Sequence, residues 1–148
     1  MEVPELRDQI IKAFACVPKP VQADIAPHRC MECDELAEEL APFDASQMPD
    51  AIFRRHVWDM PLLSAEAKHY YLPAWLLRCL EVEEPWLPDE ASAVIYALEN
   101  DHRWDPSPPY TQQQWCVLDL WLEHIAQFAD SIDLEHFEKA RERVEHEL

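Results

Sequence analysis

A single all-α domain of about seven helices is the architecture this sequence predicts, and three observations predict it. The chain has thirteen prolines, no glycine, and Asn100 as its only asparagine. Tight β-hairpins need residues that tolerate φ > 0, chiefly Gly, Asn or Asp, so a hairpin-rich β fold is hard to build here. Proline or a capping residue followed by an acid and then by apolar residues at helical spacing recurs along the chain, which is a helix-start signature. Finally, 148 residues that are 49% hydrophobic, with six Trp, five Phe and four Tyr, suffice for one core. A chain of that length buries about 70% of its unfolded surface.

The elements follow in order. A first helix is predicted from about Pro4 to Cys16, with Leu6, Ile10, Ile11 and Phe14 on one stripe. The segment VPKPVQADIAP cannot continue it, because proline removes an amide donor and restricts the residue before it; it reads as an extended connector. A second helix runs from about Met31 to Leu40, acidic on its outer face. Pro49 and Asp50 open a short third helix carrying Ile52, Phe53, His56, Val57 and Trp58. Ser64 caps a fourth that contains Pro73, where the carbonyl of His69 loses its donor and a kink is expected. Pro88 to Glu99 form the fifth, with Asn100 as its left-handed stop. Thr111 caps the sixth and Gln114 completes a capping box; its stripe is Trp115, Leu118, Trp121, Leu122, Ile125 and Phe128. Asp133 caps the last, with Leu134, Phe137, Val144 and Leu148 spaced for one face. Arg141 and Arg143 lie toward its C-terminal end, which the helix dipole favours. No internal repeat or linker divides the chain, so residues 1–148 are read as one domain.

Charge bounds the function. Thirty acids against twelve Lys and Arg leave a formal net charge of −18. Such a surface repels nucleic-acid phosphates and anionic lipid and favours encounter with a basic protein partner, while solubility alone is the simpler purpose of the same charge. No apolar run approaches the roughly 18 residues of a membrane span, and MEVPELRDQIIKAF is too charged for a signal peptide, so a cytoplasmic location is expected. Phosphate loops and the Gly-x-Ser-x-Gly elbow both require glycine and are excluded; His-Glu-x-x-His is absent. Two Glu-x-x-His pairs, Glu66/His69 and Glu99/His102, have the spacing of di-iron ligands in bundles, but seven histidines among thirty acids produce such pairs by chance.

One stretch carries chemistry. His28, Cys30 and Cys33 fall within six positions, and Cys-x-x-Cys is the spacing that brings two thiolates to one tetrahedral zinc. His28 is near enough to be a third ligand. His56, on the next helix, is the expected fourth, with Cys16, Asp34, His69 and Cys116 in reserve. A redox pair is a second reading, opposed by the neighbouring acids Glu32, Asp34 and Glu35 and favoured by Arg29. A third is that the three side chains form a helix start and bind nothing. Five cysteines in a chain without an export signal read as thiols or ligands rather than disulfides. Tyr70, Tyr71 and Trp75, in HYYLPAWLL, combine apolar bodies with polar tips; they line a partner groove or belong to the core of the kinked helix.

Four segments also carry a resemblance: Ala13 to Pro20 (AFACVPKP), His28 to Glu35 (HRCMECDE), Pro61 to Leu63, and Tyr70 to Leu76 (YYLPAWL). Together they resemble a family of uncharacterised bacterial proteins. Its members share an Ala-Phe-x-x-Val-Pro-x-Pro start, a His-Arg-Cys-x-x-Cys-x-Glu stretch, and a Pro-Leu-Leu block leading into Tyr-Tyr/Phe-Leu-Pro-Ala-Tyr/Trp-Leu. The match covers about the first half of the chain. Cys16 departs from the pattern, where a smaller residue is expected. The resemblance implies a bacterial origin and a shared site at His28, Cys30 and Cys33, and it brings no activity with it. The functional expectation is therefore an acidic interaction protein, such as an inhibitor or immunity-type partner of a basic bacterial protein, with a possible structural zinc. The alternative is a metal- or thiol-dependent enzyme centred on His28, Cys30 and Cys33.

Overall fold

Seven α-helices and four short 3-10 segments, with no strand, make up the described residues of the computed structural model, which are 1–81, 89–99 and 107–148. The helices are α1 (Val3–Phe14), α2 (Met31–Leu40), α3 (Asp50–His56), α4 (Ala65–Cys79), α5 (Asp89–Glu99), α6 (Gln112–Ile125) and α7 (Leu134–Glu147). None of the helices among these residues is long and apolar enough to cross a membrane. The expected start at Pro88 and stop at Asn100 lie outside the described residues, as does His102.

Local chemistry explains the boundaries. The Ser64 hydroxyl accepts the Ala67 N–H at 3.0 Å and so caps α4. At α6 the reciprocal box forms: Thr111 Oγ1 accepts from Gln114 N at 3.1 Å, and Gln114 Oε1 accepts from Thr111 N at 3.0 Å. Asp133 accepts from the amides of Glu135 and His136 at the start of α7. Each of these satisfies amides that have no partner inside the helix. Helix α4 continues through Pro73, because the ring is buried and the packing around it compensates for one lost backbone bond.

One apolar cluster holds the helices together. α4 lies against α1 and α5; α6 against α1 and α7; α5 against α7. Trp75 stacks edge-on against Phe53 with centroids 4.6 Å apart, and its Nε1–H donates to Val57 O at 3.2 Å. Trp121 Nε1–H donates to Leu76 O at 3.2 Å, tying α6 to α4. The indoles thus bury large areas while their single donors stay satisfied. Gln114, also buried, spends its amide on Ala13 O at 3.0 Å, while its oxygen receives His69 Nε2–H at 2.7 Å.

Three expected stripes change in detail. Ile11 is exposed, and α1 buries Leu6, Ile10, Ala13 and Phe14 instead. Phe128 leaves the α6 stripe: α6 ends at Ile125, and Phe128 has non-helical dihedrals (φ −108°, ψ 39°) inside a 3-10 segment over Ala126–Ser131. On α7 the buried face is Phe137, Ala140 and Val144, whereas Leu134 and Leu148 at the two ends are exposed.

Candidate functional site

The Cys-x-x-Cys stretch forms the start of α2. Cys30 is the N-cap residue, in extended conformation, and its Sγ accepts the Cys33 N–H at 3.3 Å. A cysteine here does what Ser or Asp does at other helix starts, with a softer acceptor. Cys30 faces solvent while Cys33, one turn on, is 2% exposed. Glu32 and Asp34 occupy the first turn, where the helix dipole favours negative charge. Burial, the adjoining Cys30 sulfur and these two carboxylates push the Cys33 thiol up to about 11. Cys33 is therefore a thiol, not a thiolate, at neutral pH.

Beside it lies a cleft of about 440 Å³ between α2 and the 3-10 turn Gln22–Asp24. Ala23, Ala26, Cys33 and Ala37 supply its apolar lining, and Gln22, Arg29, Asp34 and Glu38 its polar lining. The turn is held by Ser64, whose hydroxyl donates to Asp24 O at 2.5 Å while Ser64 N donates to Ile25 O at 2.9 Å. Fully buried Ile25 anchors the connector. On the outer surface of α2, Glu32, Asp34, Glu35 and Glu38 are all exposed. None of the four is in an ion pair among the described residues.

His56 is not brought to the two thiols. Its ring is buried between two carboxylates, with Nε2 at 2.5 Å from Glu39 Oε2 and Nδ1 at 2.7 Å from Asp59 Oδ2. Both nitrogens are thus committed, and neither offers a lone pair to a metal while both act as donors. His56 meets α2 at Glu39, six residues and about 9 Å along the axis from Cys33. Arg55 adds a second contact to Glu39 at 2.5 Å. The Glu39 carboxyl is held below the usual carboxylate range, first by the His56 hydrogen bond and then by Arg55. His28 is exposed and makes no hydrogen bond to either sulfur among the described residues. Among the described residues no group of three or more His, Cys, Asp or Glu side chains is arranged to hold a metal.

The reserve ligands are dispersed as well. Cys16 and Cys116 are exposed, Asp34 lines the cleft, and His69 sits edge-on to Phe14 and Tyr110 with its Nε2 on Gln114. Of the Glu-x-x-His residues, Glu66 is exposed, and Glu99 receives His136 Nδ1 at 2.5 Å and Lys139 at 3.7 Å.

Of the three aromatics expected at a groove, two lie in the core. Tyr71 and Trp75 are core residues at 0% and 2% exposure, so neither lines a surface. Tyr71 donates its hydroxyl to Leu40 O at 3.2 Å, and burial pushes that hydroxyl up to about 12. Tyr70 is half-buried; its oxygen accepts Ala45 N–H at 3.3 Å and lies 3.5 Å from Asp44 Oδ1. Their polar tips serve the junction between α2, its following loop and α4. Among the described residues the exposed aromatics are elsewhere, at Trp58 and Tyr96, with ring centroids 6.2 Å apart and His136 4.8 Å beyond Tyr96.

Two features escaped the sequence reading. The i,i+3 spacing of His56 and Asp59 is visible along the chain and signals a local ion pair. Glu39, 17 positions away, and the Gln22–Asp24 wall of the cleft carry no such signal. Comparison with protein-family models, curated proteins and solved structures finds no match for this chain. The short-motif resemblance therefore assigns no family.

Proposed function

We propose that this protein is an acidic interaction protein whose α2 face receives a basic segment of a protein partner. The observation that carries the reading is the coincidence of four exposed, unpaired acids on α2 with the cleft beside them. Lysine and arginine are amphipathic: the methylene stem favours an apolar lining such as Ala23, Ala26 and Ala37, and the charged head favours Asp34 and Glu38. The excess of acids over the whole chain steers a cation toward any face, and a shaped recess converts steering into a preferred position.

The test is a titration of an arginine- and lysine-rich peptide into the isotope-labelled protein, followed by backbone amide shifts. Shifts concentrated on residues 22–38, abolished by Glu32→Gln, Asp34→Asn, Glu35→Gln and Glu38→Gln together, support the proposal. Shifts spread equally over the acids of α1 and α7 overturn it, because the charge then acts without a site. The alternative, a thiol-dependent enzyme, draws on one observation, that Cys33 lines the same cleft. Against it stand a thiol pushed up to about 11 and the absence, among the described residues, of a histidine bonded to either sulfur.

A further inference from the structure

We infer that Cys30 and Cys33 form a dithiol couple that reduces small, positively charged disulfides at the start of α2, where Cys30 faces solvent next to the cleft that Cys33 lines. The argument is geometric. The pair combines an outer sulfur reachable from solvent with an inner one that is 2% exposed and lines the cleft. Cys30 Sγ already lies 3.3 Å from Cys33 N and adjoins the Cys33 thiol, so the two sulfurs share one turn of chain. The i,i+3 spacing across a helix start is that of the Cys-x-x-Cys redox motif. The two roles follow from exposure: Cys30 is the sulfur an incoming disulfide can reach, and burial keeps Cys33 protonated until a mixed disulfide sits beside it.

The exchange balances in two steps. In the first, the Cys30 sulfur bonds to one sulfur of the small disulfide, whose S–S bond breaks; one small thiol leaves with the Cys30 proton. In the second, the Cys33 sulfur attacks the Cys30 side of the mixed disulfide; that bond breaks, the second small thiol leaves, and the Cys33 proton goes with it. The protein dithiol is oxidised, and the small disulfide is reduced to two thiols. Charge selects the substrate class. Asp34 and Glu38 outnumber Arg29 in the cleft lining, and Glu32 lies near enough to act on Cys33, so a cationic disulfide is favoured there over an anionic one. The inference shares the acidic cleft with the proposed function but requires no protein partner. Its readout is a covalent mass change, so its failure and the failure of peptide docking are distinguishable.

The experiment treats the reduced full chain with cystamine, a dicationic disulfide, or with glutathione disulfide at low ionic strength, then quenches with acid and maps the cysteines by mass spectrometry. The expected result is loss of both thiols at Cys30 and Cys33 as an internal disulfide, reversed by dithiothreitol, with an unchanged far-ultraviolet helix signal. Exposed Cys16 and Cys116 should gain only mixed disulfides. Cys33→Ala should stop at a cystamine adduct on Cys30, and Cys30→Ser, which keeps a capping oxygen, should leave Cys33 reduced. Cystamine should react at least about tenfold faster than glutathione disulfide, the ratio falling as salt is added. A wild-type chain that stalls as a Cys30 adduct, leaves Cys30 unreacted, or loses helix as the bond forms overturns the couple. Equal rates for the two disulfides overturn the assignment of the cationic class.

Discussion

His56 shows how much one side chain is asked to do. Two carboxylate oxygens, at 2.5 and 2.7 Å, face its two ring nitrogens. A neutral imidazole has a single N–H, so both contacts are hydrogen bonds to ionised carboxylates only when both nitrogens carry protons. Removing the ring by His56→Ala leaves Glu39 and Asp59 facing one another across a gap, with Arg55 as compensation for Glu39 alone. We expect a loss of about 2 kcal/mol in urea unfolding at neutral pH, less than a fully buried pair because both carboxylates keep some solvent. The pH dependence follows from Glu39. Its folded value lies below its unfolded one, so the stabilisation is fully present above the ordinary carboxylate range and is lost as pH falls through the folded value. The wild-type protein should therefore lose stability on acidification below about pH 4.5, and the slope should be shallower in His56→Ala. An identical slope in both proteins would place the acid sensitivity elsewhere.

At the scale of the element, the helix starts differ in what caps them, and this separates structure from chemistry. Ser64, Thr111 and Cys30 each accept an amide three residues on. Ser64→Ala or Thr111→Ala should each cost about 1 kcal/mol. Gln114→Ala should cost more, about 2 kcal/mol, because it leaves Ala13 O without this donor and His69 without this acceptor in a buried place. Cys30→Ser is the informative contrast. As an N-cap, serine replaces the sulfur with a better acceptor, and stability should change by less than about 1 kcal/mol in thermal or urea unfolding. A severe loss would instead mean that Cys30 is a metal ligand whose binding energy supports the fold.

For the whole molecule, two terms dominate: a core continuous from α1 to α7 and a net charge of −18. Trp121 is completely buried and bonds to α4, so Trp121→Ala should cost about 3–5 kcal/mol through both cavity and lost packing. The charge acts at longer range. Binding of a basic peptide should slow markedly in its association phase between low and physiological salt, where the screening length shortens to about 8 Å, with dissociation changing less. Stopped-flow measurement at two ionic strengths checks this, and a salt-independent association rate would confine the acids to solubility.

What the sequence determined by itself is what local chemistry determines. The all-α class was legible in the lack of glycine and the recurring helix starts, and three of those starts stand where a capping residue announces them: Ala65 after Ser64, Gln112 after Thr111 and Leu134 after Asp133. Capping acts over three or four residues, so it is readable without knowing the fold. Tertiary structure decided which apolar positions are covered, since Ile11, Leu134 and Leu148 satisfy helical spacing yet are exposed. It also decided the site. Cys30 and Cys33 stay together because one turn of chain joins them, whereas His56 is drawn to Glu39 by the packing of α3 on α2, at the end of that helix away from the thiols. Residue type made His56 a plausible ligand; position gave it two carboxylates, and a pair of charge-assisted hydrogen bonds in a buried place outweighs any claim that spacing alone can make.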